Sequence, residues 1–325
     1  MNKTNILKLY RQAVQKTGFR EDKKNPGWMP KIGPNDFRSV IRHGQYKGIP
    51  SVIKVSPHEN LLTIANNFIR YQKAVKGKPV IQVPTILAKG RLRGGQFLIQ
   101  KSADPGQPQG VRIIKHWPLA TQAEKEEVAK LYWNTVAAFP KFDFGEWAIS
   151  DYFTMRLHKS LTAGRDYGVV IKGFITSQEK DRATSFIFTH AHRLGTGVFF
   201  DHFANTDIVK TADGKYFVWE SNIVPKPEAA GIALWLWAAT LYAYDVPLTV
   251  WQKELKSWLT IFKKYAPRAY VKDLDIKIRA NLTERLLSTL LLDLPLKRSP
   301  FDRLPKTKIQ RARAIFRALL NNILN

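Results

Sequence analysis

The sequence predicts an α+β protein: a strand-rich first third forms a small antiparallel sheet, and a mainly helical remainder carries one inserted β-hairpin. Three observations point to it. Short runs rich in Val, Ile and Phe, bounded by Gly or Pro, crowd the stretch from Phe37 to Lys101. Beyond the turn-forming run A-D-P-G-Q-P, which starts at Ala103, apolar residues recur at helical spacing. Inside that helical region Thr206 to Asn222 reads T-D-I-V-K-T-A-D-G-K-Y-F-V-W-E-S-N, where Asp213-Gly214 between Val, Tyr, Phe and Trp is a strong hairpin signal.

Taken in order, Asn5 to Lys16 reads as a short helix followed by a Gly- and Pro-containing linker to Pro34. Phe37 to Arg42 and Ile49 to Val55 read as strands joined through H-G-Q-Y-K-G, which puts Gly44 and Gly48 in one glycine-containing turn. Ser56-Pro57 precede a helix from about Glu59 to Val75, and extended segments follow at Pro79 to Pro84, Thr85 to Lys89 and Gly95 to Lys101. Thr121 to Ala138 carries a stripe of Val128, Leu131, Tyr132 and Val136. Thr176-Ser-Gln-Glu179 is a capping box for a helix reaching about Leu194. After a short strand at Val198 to Phe200 and the hairpin, helices are expected near Glu228 to Tyr244, Val250 to Tyr265 and Leu282 to Leu292. The expected organisation is 1–30 helix and linker, 31–102 strand-rich lobe, 103–295 helical lobe with the hairpin region 198–222, and 296–325 basic C-terminal helix.

Composition narrows the function classes. With 325 residues, 44% of them hydrophobic, the chain can bury a sizeable core. The absence of cysteine excludes a disulfide scaffold, a thiol nucleophile and a Cys-based zinc site, and fits a reducing, cytoplasmic compartment. The opening M-N-K-T-N-I-L-K-L-Y-R lacks the apolar run of a signal peptide. The most apolar window, Gly231 to Val250, is interrupted by Asp245 and Pro247 and reads as a buried helix, not a transmembrane segment.

The net charge of +26 attracts polyanions: nucleic acid, an anionic membrane surface or nucleotide phosphates. Within the last segment Ile309, Ala312, Phe316, Leu319, Leu320 and Ile323 recur at helical spacing and leave Arg311, Arg313 and Arg317 for other faces. Such a helix lies on a membrane, meets a nucleic-acid backbone, or docks its apolar face on the protein's own core.

If Asp213-Gly214 is a two-residue loop, Asp207 lies opposite Glu220 with Cβ atoms about 5 Å apart. Facing carboxylates repel unless something sits between them, and a hard cation such as Mg²⁺ is the common remedy. The alternative is that both splay into solvent or find lysines such as Lys210. A transition-metal site for hydrolysis built from His190, His192 and His202 with Asp207 and Glu220 is a poorer fit, because residues two apart on a helix face nearly opposite ways. His190 falls on an apolar stripe and reads as a core histidine.

The element order, with V-I-K on a strand behind a glycine turn and one hairpin in the helical region, resembles the protein-kinase-like fold. Its aminoglycoside and choline phosphotransferase branch is the most similar, over roughly Ile32 to Tyr244. The resemblance implies a two-lobed fold with a small antiparallel-sheet N-lobe and a mainly helical C-lobe. It implies that the turn at Gly44 to Gly48 covers the phosphates of ATP, that Lys54 in S-V-I-K-V holds the α and β phosphates, and that Gln100 to Asp104 is the hinge beside adenine. The family's catalytic Asp, metal-binding Asn and second metal-binding Asp fall at His202, Asp207 and Glu220, with spacings of five and thirteen retained. All three residue types differ. Asp207 and Glu220 keep oxygen ligands for Mg²⁺, while His202 can accept a hydroxyl proton but lacks a fixed negative charge. Asp201, adjacent on an extended segment, points to the opposite side. The glutamate that pairs with the strand lysine is missing from the helix, since Asn60 to Val75 holds no acid and Glu59 comes only five positions after Lys54. P-E-A-A-G at Gly231 stands where the family carries an Asp. Two functions follow from the resemblance: an ATP- and Mg²⁺-dependent phosphotransferase acting on a small hydroxyl- or amine-bearing molecule, or a catalytically silent pseudokinase whose basic surface binds a polyanion. A chain this basic suits cationic aminoglycosides poorly.

Overall fold

Asn2 starts the first helix by accepting a hydrogen bond from Asn5 N, and Gly18, at φ 70°, ends it. That helix, α1 (Lys3–Thr17), buries Ile6, Leu9, Tyr10 and Ala13 against Val40, Ile53, Val55, Phe97 and Ile99. The computed structural model describes residues 1–25, 27–30, 36–102, 111–143, 149–162, 174–218, 222–297, 301 and 304–324. Two compact units are present: Met1–Val111 with Ala138–Pro140 and Val209–Ile223, and Arg112–Ala137 with Lys141–Ile208 and Val224–Asn325.

The first unit is built on a five-stranded antiparallel sheet in the order β1-β2-β3-β5-β4. Its strands are β1 (Arg20–Glu21), β2 (Val40–Tyr46), β3 (Ile49–Ser56), β4 (Ile86–Leu92) and β5 (Gly95–Lys101), and α2 (Leu61–Val75) follows β3. Strand alternation divides β3 cleanly. Ile53 and Val55 face α1, whereas Val52 and Lys54 share the second face with Ile41 of β2. The turn between β2 and β3 is shorter than its glycines suggest. It is the two-residue Lys47-Gly48, with φ of 52° and 78°, the left-handed pair that a tight hairpin requires. Gly44 lies inside β2, where a Cβ would meet the Arg20 carbonyl oxygen at 2.0 Å. The short hairpin of β8 (Ile208–Lys210) and β9 (Tyr216–Val218) joins this unit through Gln82, which donates to Tyr216 O at 2.7 Å and accepts from Val218 N at 3.1 Å. Val209 and Phe217 thereby pack on Ile41 and Val52.

The second unit contains α3 (Gln122–Ala138), α4 (Ile149–Leu161), α5 (Ser177–Ala191), α6 (Ala230–Leu241), α7 (Leu248–Lys264), α8 (Leu274–Ser288) and α9 (Lys306–Leu324). It also contains a strand pair, β7 (Thr196–Phe200) with β10 (Ile223–Pro227), while β6 (Val111–Arg112) precedes α3. The capping box forms as the sequence predicts, with Thr176 and Glu179 exchanging side-chain and backbone hydrogen bonds. A run of aromatic contacts, Phe203 to Trp235 to Trp258 to Phe262 at centroid distances of 5.1, 5.6 and 5.7 Å, marks the core. The most apolar window becomes α6, buried nearly all round, and no described helix is long and apolar enough to cross a membrane.

The C-terminal helix α9 docks on its own protein. Ile309, Ala312, Phe316, Leu319, Leu320 and Ile323 are all buried, and Arg317 makes a forked pair with Glu179 at 2.9 Å. Each large buried apolar side chain contributes roughly 1.5–3 kcal/mol, so laying this face on a membrane would first forfeit on the order of 10 kcal/mol. Of the three placements the sequence leaves open, the structure shows the apolar face docked on the protein's own core.

Candidate active site

In the first unit the residues after β3 are turned back by Ser56. Its hydroxyl donates to Arg38 O at 2.7 Å and accepts from His58 N and Glu59 N at 3.1 and 3.0 Å. That turn folds Glu59 under Lys54, with Nζ 3.1 and 3.2 Å from the two carboxylate oxygens. Arg38 adds a second cation at 2.8 Å. The lysine and carboxylate side chains are 18% and 11% exposed, so the pair is shielded yet reachable from solvent. Sequence reasoning looked for the lysine's partner on the helix and missed Glu59, which precedes the N-cap Asn60. The available signal was Ser56-Pro57, whose turn chemistry reverses the chain within the five intervening positions. Gln100 of β5 is nearly buried and pairs with Val52 and Ile86. Of the rest of the expected hinge, Lys101 ends β5 and Ser102 N donates to Pro50 O at 2.9 Å, while Ala103 and Asp104 lie outside the described residues. Gly48 is in the turn; Gly44 is in the strand.

In the second unit the chain leaving β7 forms a pinned loop. Phe203 is fully buried among Tyr132, Phe199 and Trp235. Asn205, also fully buried, accepts from Ile114 N at 3.0 Å and donates to Ile114 O at 3.2 Å. Lys226 of β10 donates to the Asp201 carbonyl at 3.2 Å. No sequence signal marked Asn205 or Lys226, because their partners are remote along the chain. Between these anchors His202 and Asp207 come together, with Nδ1 of the imidazole 4.0 Å from Oδ2. Thr206 donates its hydroxyl to the same oxygen at 3.0 Å. Burial pushes the Asp207 carboxyl above its ordinary range, and the His202 ring works in the opposite direction.

The hairpin register differs from the expected one. Gly214 N donates to Thr211 O and Thr211 N donates to Lys215 O, both at 2.9 Å, with Gly214 at φ 77°. The loop is therefore Ala212-Asp213-Gly214, one residue longer than a two-residue turn, and Thr211 opposes Lys215. Asp207 sits in a turn before β8, where its amide and that of Ile208 donate to Ala204 O at 3.0 Å, and takes no place in the ladder. Glu220 lies outside the described residues. The turn's own carboxylate, Asp213, is held to about 2 by hydrogen bonds from Lys215 and Thr211. Among the described residues no three His, Asp or Glu side chains are grouped to hold a metal. A half-buried carboxylate such as Asp207 is nonetheless a chemically fitting ligand for one hard cation. His190 packs edge-on against Phe186 at 4.7 Å, and His192 caps the end of α5.

Neither a family model nor a curated protein matches the sequence. Solved structures do match it. A thermostable mutant of the aminoglycoside phosphotransferase APH(4)-Ia, in apo form, gives a TM-score of 0.58 at 12% identity, over 96% of this chain and 98% of that one. A putative aminoglycoside phosphotransferase from Ralstonia eutropha gives 0.57 at 9% identity, over 99% and 98%. The ethanolamine kinase of Plasmodium vivax gives 0.54 at 10% identity, over 91% and 83%. The chain has the kinase-like fold of the aminoglycoside and choline phosphotransferases.

Proposed function

We propose that the protein is an ATP- and Mg²⁺-dependent phosphotransferase acting on a small hydroxyl- or amine-bearing molecule. The Lys54–Glu59 ion pair carries the reading. A lysine held at 3.1 Å by a shielded carboxylate on one sheet face is fixed in direction, which is what binding the α and β phosphates requires. The Gly48 turn would cover those phosphates and Gln100 would border the base. Asp207, together with Glu220, would hold Mg²⁺, which when bound neutralises charge on the phosphoryl group. His202 would accept the acceptor's proton. APH(4)-Ia mutants have been solved as ternary complexes with ADP or AMP-PNP and hygromycin B, which supports a nucleotide as the donor here.

The test is unfolding with AMP-PNP, with and without Mg²⁺. At a hundred times Kd a ligand that binds only the folded state adds about 2.7 kcal/mol, a readable rise in Tm. The rise is expected in the wild type with Mg²⁺ and is expected to vanish in Lys54→Met. A rise that survives Lys54→Met would refute the assigned role.

One observation favours the catalytically silent alternative. Val209 and Phe217 pack directly on Ile41 and Val52, covering part of the sheet face that carries Lys54. On that reading AMP-PNP produces no shift, and the exposed Lys3, Lys8, Arg11 and Lys16 of α1 would meet a polyanionic partner.

A further inference from the structure

We infer that Arg156, Lys226 and Arg285 form an anion-binding site in the second unit, which takes a carboxylate, phosphate or sulfate group. The inference deepens the phosphotransferase reading by giving the acceptor's chemical class, and it rests on that reading only in calling the bound molecule an acceptor.

The three cations come from three elements, α4, β10 and α8. Glu284, 2% exposed, takes Nε of Arg156 at 3.0 Å and Nε of Arg285 at 3.5 Å, so two guanidinium groups share one carboxylate. Lys226 is 5% exposed, and its hydrogen bond is to a neutral carbonyl, that of Asp201. Among the described residues no carboxylate lies within ion-pair distance of its amine. The cluster therefore holds three cations around one directly bonded anion. Arg285 is further held over the Trp237 ring at 5.3 Å and by the Tyr152 hydroxyl.

Asp201 and Asp293 also act on the cluster, the first favouring the charged amine of Lys226 and the second the charged Arg156. Burial and the two guanidinium groups outweigh Asp201 and Glu284, which both favour the charged amine: it is pushed down from its ordinary 10.5 to about 7. Burying a cation without a compensating anion is costly, and an oxyanion supplied from solution would remove that cost. The geometry allows one to reach it. The Arg156 and Arg285 side chains are 24% and 18% exposed, so both are partly open to solvent, and a planar guanidinium suits two-pronged contact with an oxyanion. Lys226 ties this site to the pinned loop through Asp201, the neighbour of His202.

The probe is sulfate, titrated at constant ionic strength against chloride, with Tm and calorimetric affinity as readouts. Wild type is expected to show a saturable rise in Tm with sulfate and none with chloride. Lys226→Met and Arg156→Gln are each expected to weaken sulfate about tenfold or more. Lys308→Met, which removes an exposed lysine paired with Asp245, is expected to change nothing. Arg156→Gln strips a partner from buried Glu284 and could fail to fold; Lys226→Met removes a poorly compensated charge and decides the matter alone. Equal stabilisation by chloride, or sulfate binding undiminished in Lys226→Met, would overturn the site. So would a sulfate response lost in Lys54→Met and kept in Lys226→Met, which would assign the anion to the nucleotide's place. AMP-PNP binding measured in the same variants separates the two readings. If it is absent while sulfate still binds at Lys226, the phosphotransferase proposal fails and the anion site stands.

Discussion

Lys226→Met is expected to make the protein more stable, and by an amount that shrinks as pH rises. The amine's folded pKa of about 7 lies below its ordinary 10.5, so between those values the unfolded chain binds the extra proton. The stability penalty is therefore fully present below about pH 7, falls across the window, and is gone above 10.5. A separation of about 3.5 pH units at about 1.4 kcal/mol each makes the full penalty roughly 5 kcal/mol. Methionine has a similar length and adapts to irregular space, but it leaves the Asp201 carbonyl without the lysine's hydrogen bond, a loss of about 1 kcal/mol. The net gain is then about 4 kcal/mol at pH 6 and about 1 kcal/mol at pH 9. Urea unfolding of both proteins at pH 6, 7, 8 and 9 reads this directly, because titrating groups that do not interact with Lys226 cancel in the difference. A difference that does not change with pH, or a variant less stable than wild type at pH 6, would refute the reasoning.

Glu59→Gln, which keeps the shape and removes the charge that fixes Lys54, is expected to weaken AMP-PNP about tenfold by calorimetry while Tm changes little. Asn205→Ala removes both hydrogen bonds to Ile114 from a fully buried place and should cost about 2–4 kcal/mol in urea unfolding, with the His202 loop losing protection from hydrogen exchange. Phe316→Ala should cost about 3–5 kcal/mol, because α9 is part of the core; a neutral result would return that helix to the surface. If His202 is the proton acceptor, His202→Gln should abolish any phosphoryl transfer while AMP-PNP still binds; transfer left unchanged excludes the role.

The elements were legible wherever local chemistry decides them. The Thr176–Glu179 capping box and the apolar stripe of α9 are written within a few residues, and both form. The hairpin was legible but its register was not, since Asp-Gly serves a two-residue turn and a three-residue loop alike, and the choice shifts every facing pair by one. Gly44 misled for a related reason. A glycine can mark a turn or a close approach of backbone, and only the folded sheet shows Arg20 O in the space its side chain would fill.

The spacing of the candidate site's residues was legible and their partners were not. Lys54 was singled out from element order, while Glu59 was passed over because a helix was expected to supply the carboxylate. The basic cluster illustrates the limit most sharply. Arg156, Lys226 and Arg285 stand far apart in the chain and carry no motif, so nothing local distinguishes them from the other cations that make up the net +26. A charge count reads as an outward-facing attraction for polyanions. Exposed lysines supply that attraction cheaply, since water solvates each one whether or not a partner arrives. A cation held inside by a single carbonyl, as Lys226 is, lowers stability until an anion reaches it, so the inward-facing charges, rather than the total, bear on the proposed anion site.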